Sequence, residues 1–383
     1  MKILSHKKWS GPVQESKKIE CPPFDRNHFQ ITLTCQSGIE SLVRRESEKF
    51  GLTETSGQDR LVSGAWNLET LYKLLIWSRF ANRVYIEIAK EKITDFDTLH
   101  DTLGGIAWSD YLTGKEIIVI EASSTRSTLT SLPTIQSVSQ KAIYSTLHTP
   151  NNANALEVHI LILIIDDIAR ILLDVTGEPL HKRGYRTESG EAPIKESLAA
   201  ALVAFSGWRF REPMIDPFCW SGTIAIEAAM MARNIPPGLS RYFRIESLPF
   251  HEREILKNVK EEAKSKIYPS GKYEIFANDM SEEMVEVAKR NAERAGVGDD
   301  ITFNIGNYLH TLSSTARTII TNPPYGKRLE SDDLDAIYKK LIKEVKENGW
   351  GFITMYPIDV RFGLANKKLL NWAEECRFWY RKN

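Results

Sequence analysis

The chain has 383 residues, of which 42% are hydrophobic and 26% charged, and its 50 Lys and Arg balance 50 Asp and Glu. This length predicts two or three domains, and this composition excludes a disordered or fibrous chain. No apolar run approaches the ~20 residues of a membrane span. Four scattered cysteines without a C-x-x-C pair exclude the common zinc spacings and a disulfide framework, which suits a protein of the reducing cytoplasm.

The N-terminal half alternates short strands and helices without a regular βαβ order. Residues 1–27 are predicted to form a basic arm, either a partly ordered leader or an RNA-contacting segment. The alternating pattern of Phe29–Cys35 predicts the first strand. Apolar residues at helical spacing predict helices over 39–51 and 68–79. Further elements are predicted at 83–89, 94–103, 116–121, 135–147, 156–165 and 169–174. This irregular order predicts an α+β fold.

From about residue 181 the pattern becomes regular. Strands are predicted at MIDPF, EIFANDM, ITFNI, RTII and WGFITMY, with helices between them and a closing CRFWYR segment. That alternation indicates an α/β fold, a parallel sheet covered on both faces by helices.

Two polar segments follow the first two strands of this sheet. Asp216–Thr223, DPFCWSGT, forms a turn between a strand and a helix, where open α/β sheets bind ligands. Asn278 and Asp279 end the next strand, and an acid there can accept hydrogen bonds from both hydroxyls of a ribose. By spacing alone, an ordinary turn and an exposed acid at a helix entry remain open alternatives.

A third segment, TNPPYG at 321–326, carries the most specific signal. The Asn322 amide oxygen and the Pro323 carbonyl can both accept hydrogen bonds from one amino group, and Pro324 adds no competing N–H. Tyr325 offers a flat face for stacking on a base. The exocyclic amine of a purine is a poor nucleophile, so two acceptors that orient its hydrogens favour methyl transfer to it.

The order of these segments resembles class I methyltransferases that use S-adenosylmethionine and act on exocyclic amino groups. LHKRGYR, APIKESLAAAL, ARNIPPGL and ECRFWY resemble the RNA branch of that group, which carries an N-terminal THUMP module. Within this branch the chain is similar to the bacterial 23S rRNA guanine-N2 methyltransferase group. The resemblance implies a ferredoxin-like part at 28–67, a THUMP RNA-binding domain at 68–180 and a Rossmann-like methyltransferase domain at 181–383.

The resemblance also implies roles for individual residues. The methionine end of the cofactor is expected at Asp216, Cys219, Ser221, Gly222 and Thr223, its ribose at Asp279 and its adenine near Asn307. The target base is expected at Asn322, Pro323, Pro324 and Tyr325. The loop HKRGYR is expected to bind RNA phosphate through Lys182, Arg183 and Arg186. His181 in the same loop either assists them or packs between domains, and no metal or membrane partner is expected.

Two positions depart from the family pattern. Trp220 stands where the family has glycine, in the loop closest to the cofactor, where the backbone approaches the ligand or adopts positive φ. Its side chain either turns outward or narrows the pocket. Asn307 stands where an acid is common, and its amide oxygen can still accept from an adenine amino group.

These residues favour guanine-N2 methylation of RNA, with ribosomal RNA as the expected substrate. The alternatives are N6-adenine methylation of RNA or DNA, guanine-N2 methylation of tRNA, and a non-catalytic RNA-binding protein with a degenerate cofactor loop.

The neutral total charge conceals an uneven distribution. Residues 1–27 carry a net charge of +3, residues 28–180 a net charge of −6, and residues 181–383 a net charge of +3. RNA is therefore expected to contact the arm, the HKRGYR loop and a local patch of Arg79, Arg83 and Arg126.

Overall fold

The computed structural model describes residues 24–58, 60–147, 155–188, 193–271, 273–306, 318–324, 331–347, 351–354, 363–371 and 374–381. They fall into two compact units. The inserted unit contains Phe24 and Ile88–Leu172, and the main unit contains Asp25–Glu87 and Leu173–Asn383.

The main unit begins with a small antiparallel sheet and two helices. Its elements are β1 (Phe29–Cys35), α1 (Glu40–Lys49), β2 (Thr53–Gln58), β3 (Leu61–Trp66), α2 (Leu68–Trp77) and β4 (Ala81–Lys92), with strand order β2–β3–β1–β4. The predicted strand β1 and the first two helices are confirmed. Helix α2 begins at Leu68 because the Asn67 side chain accepts a hydrogen bond from the Thr70 amide.

The inserted unit combines two helices with three strands in the order β7–β6–β5. Its elements are α3 (Phe96–Gly104), β5 (Ile117–Thr125), α4 (Leu132–Thr146), β6 (Glu157–Ile165) and β7 (Ile168–Asp174). Strands β5 and β6 run parallel, and α4 packs against α3 and β5. The strands and helices predicted for this segment are present.

A second sheet dominates the rest of the main unit. Its strands are β8 (Met214–Asp216), β9 (Ile275–Asp279), β10 (Ile301–Ile305), β11 (Thr318–Thr321), β12 (Gly351–Thr354), β13 (Ala365–Asn371) and β14 (Glu374–Tyr380). Its helices are α5 (Glu196–Ser206), α6 (Thr223–Ala232), α7 (Arg253–Ser265), α8 (Glu282–Arg294) and α9 (Ser331–Glu347). The order is β10–β9–β8–β11–β12–β14–β13, in which the first five strands are parallel and β14 is antiparallel to its neighbours. The predicted parallel α/β sheet is confirmed.

Close backbone contact joins the N-terminal elements to the second sheet's helices within the main unit. Helix α2 packs against α7, and the Tyr72 hydroxyl lies 2.8 Å from His251 Nδ1 and accepts a hydrogen bond from the Glu252 amide. The Gly238 amide donates to the Ile76 carbonyl at 2.9 Å. A β-carbon on Gly238 would overlap the main chain at the end of α2, so the IPPGL segment needs glycine at this position.

In the part of the chain that the structure describes, every helix is too short or too polar to span a lipid bilayer. Within the same residues, no group of three or more His, Cys, Asp or Glu side chains is arranged to hold a metal ion. Cys35, Cys219 and Cys376 are buried free thiols.

Candidate active site at the carboxyl edge of the second sheet

The site lies where the strand order of the second sheet reverses. From β8 the chain proceeds through β9 and β10 on one side, and then returns to place β11 on the other side of β8. Loops leaving adjacent strands in opposite directions open a crevice at their carboxyl ends. Asp216 ends β8 and Asn322 follows β11, so the first and third predicted motifs meet at this crevice.

Asp216 forms the floor of the crevice and is only 1% exposed. Its Oδ1 accepts hydrogen bonds from the Thr321 hydroxyl at 2.6 Å and from the Phe218 amide at 3.4 Å. Its Oδ2 is buried and has no hydrogen-bond partner among the described residues. Burial, reinforced by the charge of Asp279, raises the pKa of the Asp216 carboxyl to about 7. A buried carboxylate oxygen without a partner is the kind of group that a cationic ligand would satisfy.

Trp220 crosses the crevice. Its φ is +50°, in the left-handed region that favours glycine, so this backbone keeps the conformation that glycine adopts without steric cost. Its amide donates to Asp279 Oδ2 at 3.0 Å, and its indole Nε1 donates to the Asn322 main-chain carbonyl at 2.8 Å. Of the two expectations for this side chain, the outward orientation is wrong, because the ring lies along the cavity and bridges its two sides.

The rest of the 216–223 loop, which is the expected cofactor loop, is tightly packed. Cys219 is buried, its amide donates to the Asn278 carbonyl at 2.9 Å, and burial raises the pKa of its thiol well above the usual value. Gly222 has φ of +83° and immediately precedes α6 as its N-cap residue, and a β-carbon there would press on Ala288 of α8. The Ser221 and Thr223 hydroxyls lie 3.4 Å apart. Glycine at 222 therefore permits both the turn and the close approach of α6 to α8.

Asp279 ends β9, which lies on the side of β8 opposite to β11. Its Oδ2 accepts from the Trp220 amide, and its Oδ1 accepts from the Ser281 amide at 3.0 Å. Each carboxylate oxygen has a second acceptor site, so both can still receive a hydroxyl. The Asn278 side-chain amide donates to the Gly306 carbonyl at 2.9 Å and ties the ends of β9 and β10 together.

Two exposed apolar side chains lie beside Asp279 and were not predicted from the sequence. Met280 is 69% and Ile305 is 52% exposed, at the carboxyl ends of β9 and β10. Apolar side chains at such ends favour contact with an aromatic ring. Their signal in the sequence is only their position, one residue after the acid and at the end of ITFNI.

The NPP segment forms the opposite wall. Asn322 is buried, and Pro323 and Pro324 follow it in a segment fixed by Tyr338, whose hydroxyl donates to the Pro324 carbonyl at 2.9 Å and lies 2.8 Å from Thr354 Oγ1. Tyr325 and Asn307, both expected at the site, lie outside the described residues.

A small cavity of about 20 Å³ lies between these walls. The residues that line it are Pro193, Ile194, Asp216, Phe218, Cys219, Trp220, Ser221, Thr223, Ile224 and Asn322. The structure thus brings the DPFCWSGT and NPP segments to one cavity, with Asp279 one hydrogen bond away through Trp220.

The basic loop differs from its expected role. Arg183 is buried with its side chain 1% exposed, pairs with the fully buried Glu227 at 3.4 Å, and donates to the Leu180 and Arg79 carbonyls. Arg186 pairs with Glu196 at 3.0 Å and is also largely buried. Both guanidinium groups are engaged inside the protein, so the expectation that they bind RNA is wrong. Lys182 is the exposed cation of the three and pairs with Glu178.

His181 and Arg79 are also buried, so the surface roles expected for them do not fit the structure. His181 is buried, and burial together with nearby cations lowers its pKa to about 3, which keeps the ring neutral and supports the packing role. Arg79 is buried, and its guanidinium donates to the Ile235 carbonyl at 2.8 Å. Arg79 therefore cannot belong to a surface patch. Arg83 pairs with Asp174, and Arg126 is an exposed cation that pairs with Asp166.

Two parts of the chain match known domain families. Residues 183–357 match the RMKL-like methyltransferase domain, and residues 30–85 match the RlmL ferredoxin-like domain. YpsC of Bacillus subtilis, provisionally assigned as an RNA methyltransferase, is 35% identical over 324 residues, which cover 82% of this chain and 83% of YpsC. The chain belongs to the RMKL-like methyltransferase family. The second sheet and its helices are accordingly the Rossmann-like methyltransferase domain, and the chain is a methyltransferase.

The chain is also similar to a K/L methyltransferase and to a methyltransferase of known structure. The ribosomal RNA large subunit methyltransferase K/L of Psychromonas ingrahamii is 33% identical over 338 residues, covering 84% of this chain and 45% of that protein. The chain spans about half the length of the K/L relatives it matches. The crystal structure of SMU.472, a provisionally assigned methyltransferase complexed with SAH, has a TM-score of 0.82 and 30% identity, covering 94% of this chain and 99% of that chain.

Proposed function

We propose that this methyltransferase transfers a methyl group from S-adenosylmethionine to the exocyclic N2 amino group of a guanine in RNA, with 23S ribosomal RNA as the substrate. The observation that carries this proposal is the meeting of Asn322 and Asp216 at one cavity, on either side of the point where the strand order reverses. A methyl donor and an amine acceptor need this adjacency, because transfer requires the reacting atoms to approach in line.

The residues at the crevice fit the cofactor. The unpartnered Oδ2 of Asp216 suits a cationic group, and Ser221 and Thr223 supply hydroxyls beside it. Cys219 and Gly222 shape the loop at the methionine end. The cofactor supplies a methyl group on a positively charged sulfur, an electrophile that needs no further activation.

The nucleoside half of the cofactor would lie towards β9 and β10. Asp279 would accept from the ribose hydroxyls with the acceptor sites that its two backbone partners leave open. Met280 and Ile305 would cover the faces of the adenine with apolar surface. Asn307 is proposed near the adenine amino group.

The acceptors for the target base come from the NPP segment. The Asn322 side-chain oxygen and the Pro323 carbonyl would accept the two hydrogens of the amine and direct its lone pair towards the methyl group. The proline rings limit backbone motion, and Tyr338 holds the Pro324 carbonyl. Tyr325 is proposed to stack on the base. A guanine within a duplex must first be extruded to reach this cavity.

RNA as the substrate is supported by the names of YpsC and the K/L relatives. We place the RNA-contacting surface on the basic arm at 1–27, on Lys182 and on the 68–180 segment, for which a THUMP domain is proposed. The cytoplasm, where ribosomal RNA is modified, is the proposed location.

The test is methylation of 23S rRNA from a strain that lacks this protein, followed by nucleoside analysis. With methyl-labelled donor, N2-methylguanosine is expected. N6-methyladenosine would refute the guanine assignment, and labelling of tRNA alone would refute the ribosomal one. An enzyme that neither binds S-adenosylhomocysteine nor labels any RNA would favour the non-catalytic alternative.

Asn322→Ala tests the proposed base acceptor within the same assay. Removing the amide oxygen is expected to lower kcat about 100-fold, the usual effect of losing one oriented polar contact in a transition state. S-adenosylhomocysteine affinity, measured by calorimetry, should stay near the wild-type value, because the Trp220 indole bonds to the Asn322 main chain and not to its side chain. A joint loss of affinity and activity would instead assign Asn322 to the cofactor side.

A further inference from the structure

Trp220 joins the two halves of the active site. Its indole reaches across 102 positions of sequence to the Asn322 main-chain carbonyl, while its own amide is held by Asp279. One residue thus contacts the proposed ribose acid and the proposed base-binding segment. No other loop residue in the described part of the site is seen to donate from its side chain to the NPP segment.

The backbone of Trp220 explains how a large residue is accommodated. With φ of +50° the chain follows a left-handed turn, and Gly222, at +83°, follows two residues later. A residue other than glycine costs about 1–2 kcal/mol in this conformation. Trp220 thus adopts a backbone conformation that favours glycine, and it lines the cavity.

The Trp220 indole bonds to the main-chain oxygen of Asn322 and not to its side-chain oxygen. It occupies the main-chain carbonyl, so the Asn322 side-chain oxygen and the Pro323 carbonyl are left to receive an amine. The Asn322 carbonyl belongs to the peptide group that links Asn322 to Pro323. A hydrogen bond from the indole to this carbonyl therefore limits the rotation of that peptide group.

We propose that Trp220 is a positioning residue that locks the NPP segment in register with the cofactor loop. This inference rests on the proposed methyl transfer to an amine. In the transition state the acceptors on one loop must be aligned with the methyl group held by the other, and a misplacement of about 1 Å can cost about 100-fold in rate. Loss of the lock should therefore reduce the catalytic step more than cofactor binding.

The experiment compares Trp220→Phe with wild type and with Trp208→Phe. Phenylalanine at 220 keeps an aromatic ring and removes the indole N–H. Trp208 is a matched control, since its Nε1 donates to the Glu212 carbonyl at the same 2.8 Å in the same unit but outside the cavity. Trp220→Phe is expected to lower kcat about tenfold with KM for S-adenosylmethionine within about twofold of wild type. Trp208→Phe should leave both constants unchanged.

A second measurement does not depend on activity. Amide hydrogen exchange in peptides covering 318–324 should accelerate in Trp220→Phe, with S-adenosylhomocysteine bound or absent, and should not change in Trp208→Phe. This measurement remains informative if the enzyme methylates no RNA that is tested. Failure of the proposed function and failure of the lock are therefore distinguishable.

Three outcomes would overturn the proposal. Equal kcat and equal exchange in Trp220→Phe and wild type would show that the indole bond positions nothing. A Trp220→Gly variant that binds S-adenosylhomocysteine more tightly and keeps full kcat would show that the ring only obstructs the pocket. A loss confined to KM for the cofactor would assign Trp220 to cofactor binding.

Discussion

Asp216→Asn offers a direct test of the buried carboxylate at the base of the crevice. Asparagine has nearly the same shape, and its carbonyl oxygen can still accept from the Thr321 hydroxyl. The pKa of Asp216 is raised from 3.8 to about 7, chiefly by burial. Because the folded-state pKa lies above the unfolded one, the stability linked to the protonated carboxyl is fully present below the unfolded pKa and is lost as pH rises to about 7.

The size of the effect follows from the same shift. About three pKa units at ~1.36 kcal/mol each give a penalty of about 4 kcal/mol for the ionised carboxylate above pH 7. Asparagine does not titrate, although its buried amide without a partner costs about 1–3 kcal/mol at every pH. Between about pH 5 and about pH 8, the free energy of unfolding of the variant relative to wild type should therefore rise by about 2–3 kcal/mol.

The assay is urea or thermal unfolding of the ligand-free protein at these two pH values. At ~2–4 °C per kcal/mol, the midpoint of Asp216→Asn should gain roughly 4–12 °C on wild type across the interval. Glu261→Gln, which neutralises an exposed carboxylate of α7, is the control and should show no such gain. A difference between Asp216→Asn and wild type that is the same at both pH values would refute the assignment of a raised pKa to Asp216.

Further predictions concern the interior of the main unit. Arg183→Met should cost about 3–5 kcal/mol of unfolding free energy, because Glu227 is left buried without its cation, whereas Lys182→Met at the exposed neighbour should change it by less than ~0.5 kcal/mol. Weakened RNA binding by a fully stable Arg183→Met would contradict the structural role given to this arginine. Gly238→Ala should destabilise by about 1–3 kcal/mol because its β-carbon meets the main chain of α2, as measured by urea unfolding. Gly104→Ala, whose β-carbon meets nothing, should be neutral or slightly stabilising, and equal effects of the two glycine variants would contradict the close approach.

Secondary structure was predictable where burial imposes a periodic pattern. Strand β1 alternates and α2 repeats apolar residues at helical spacing, so both could be found without the fold. Strands β2 and β3 were missed because TETSGQ and LVSGAW lack that alternation, and they are held as strands by pairing with each other and with β1. Helix α7 was also missed, although Leu256, Val259 and Ala263 repeat at helical spacing and are buried.

Some features of the candidate site could be predicted from the sequence, and others depend on the fold. The motifs at Asp216, Asp279 and Asn322 could be read from the sequence, because each follows an apolar strand and the carboxyl ends of parallel strands share one edge. The reversal of strand order that sets Asn322 beside Asp216 is a property of the sheet, and only the fold reveals it. The direction of the Trp220 side chain likewise depends on a partner that lies 102 positions away.

The 50 basic residues of this chain show the difference between what the sequence specifies and what the fold specifies. From sequence alone, the number of cations and their segments are known, and Arg79, Arg183 and Arg186 are expected on an RNA-contacting surface. In the folded protein these three guanidinium groups face inward, where buried carboxylates and backbone carbonyls compensate them. The reason is physical: a charge enters the interior when a partner of opposite charge or a carbonyl group meets it there, and such partners come from distant parts of the chain. The sequence therefore specified the chemistry available to this methyltransferase, and the fold decided which cations stabilise the interior of the protein.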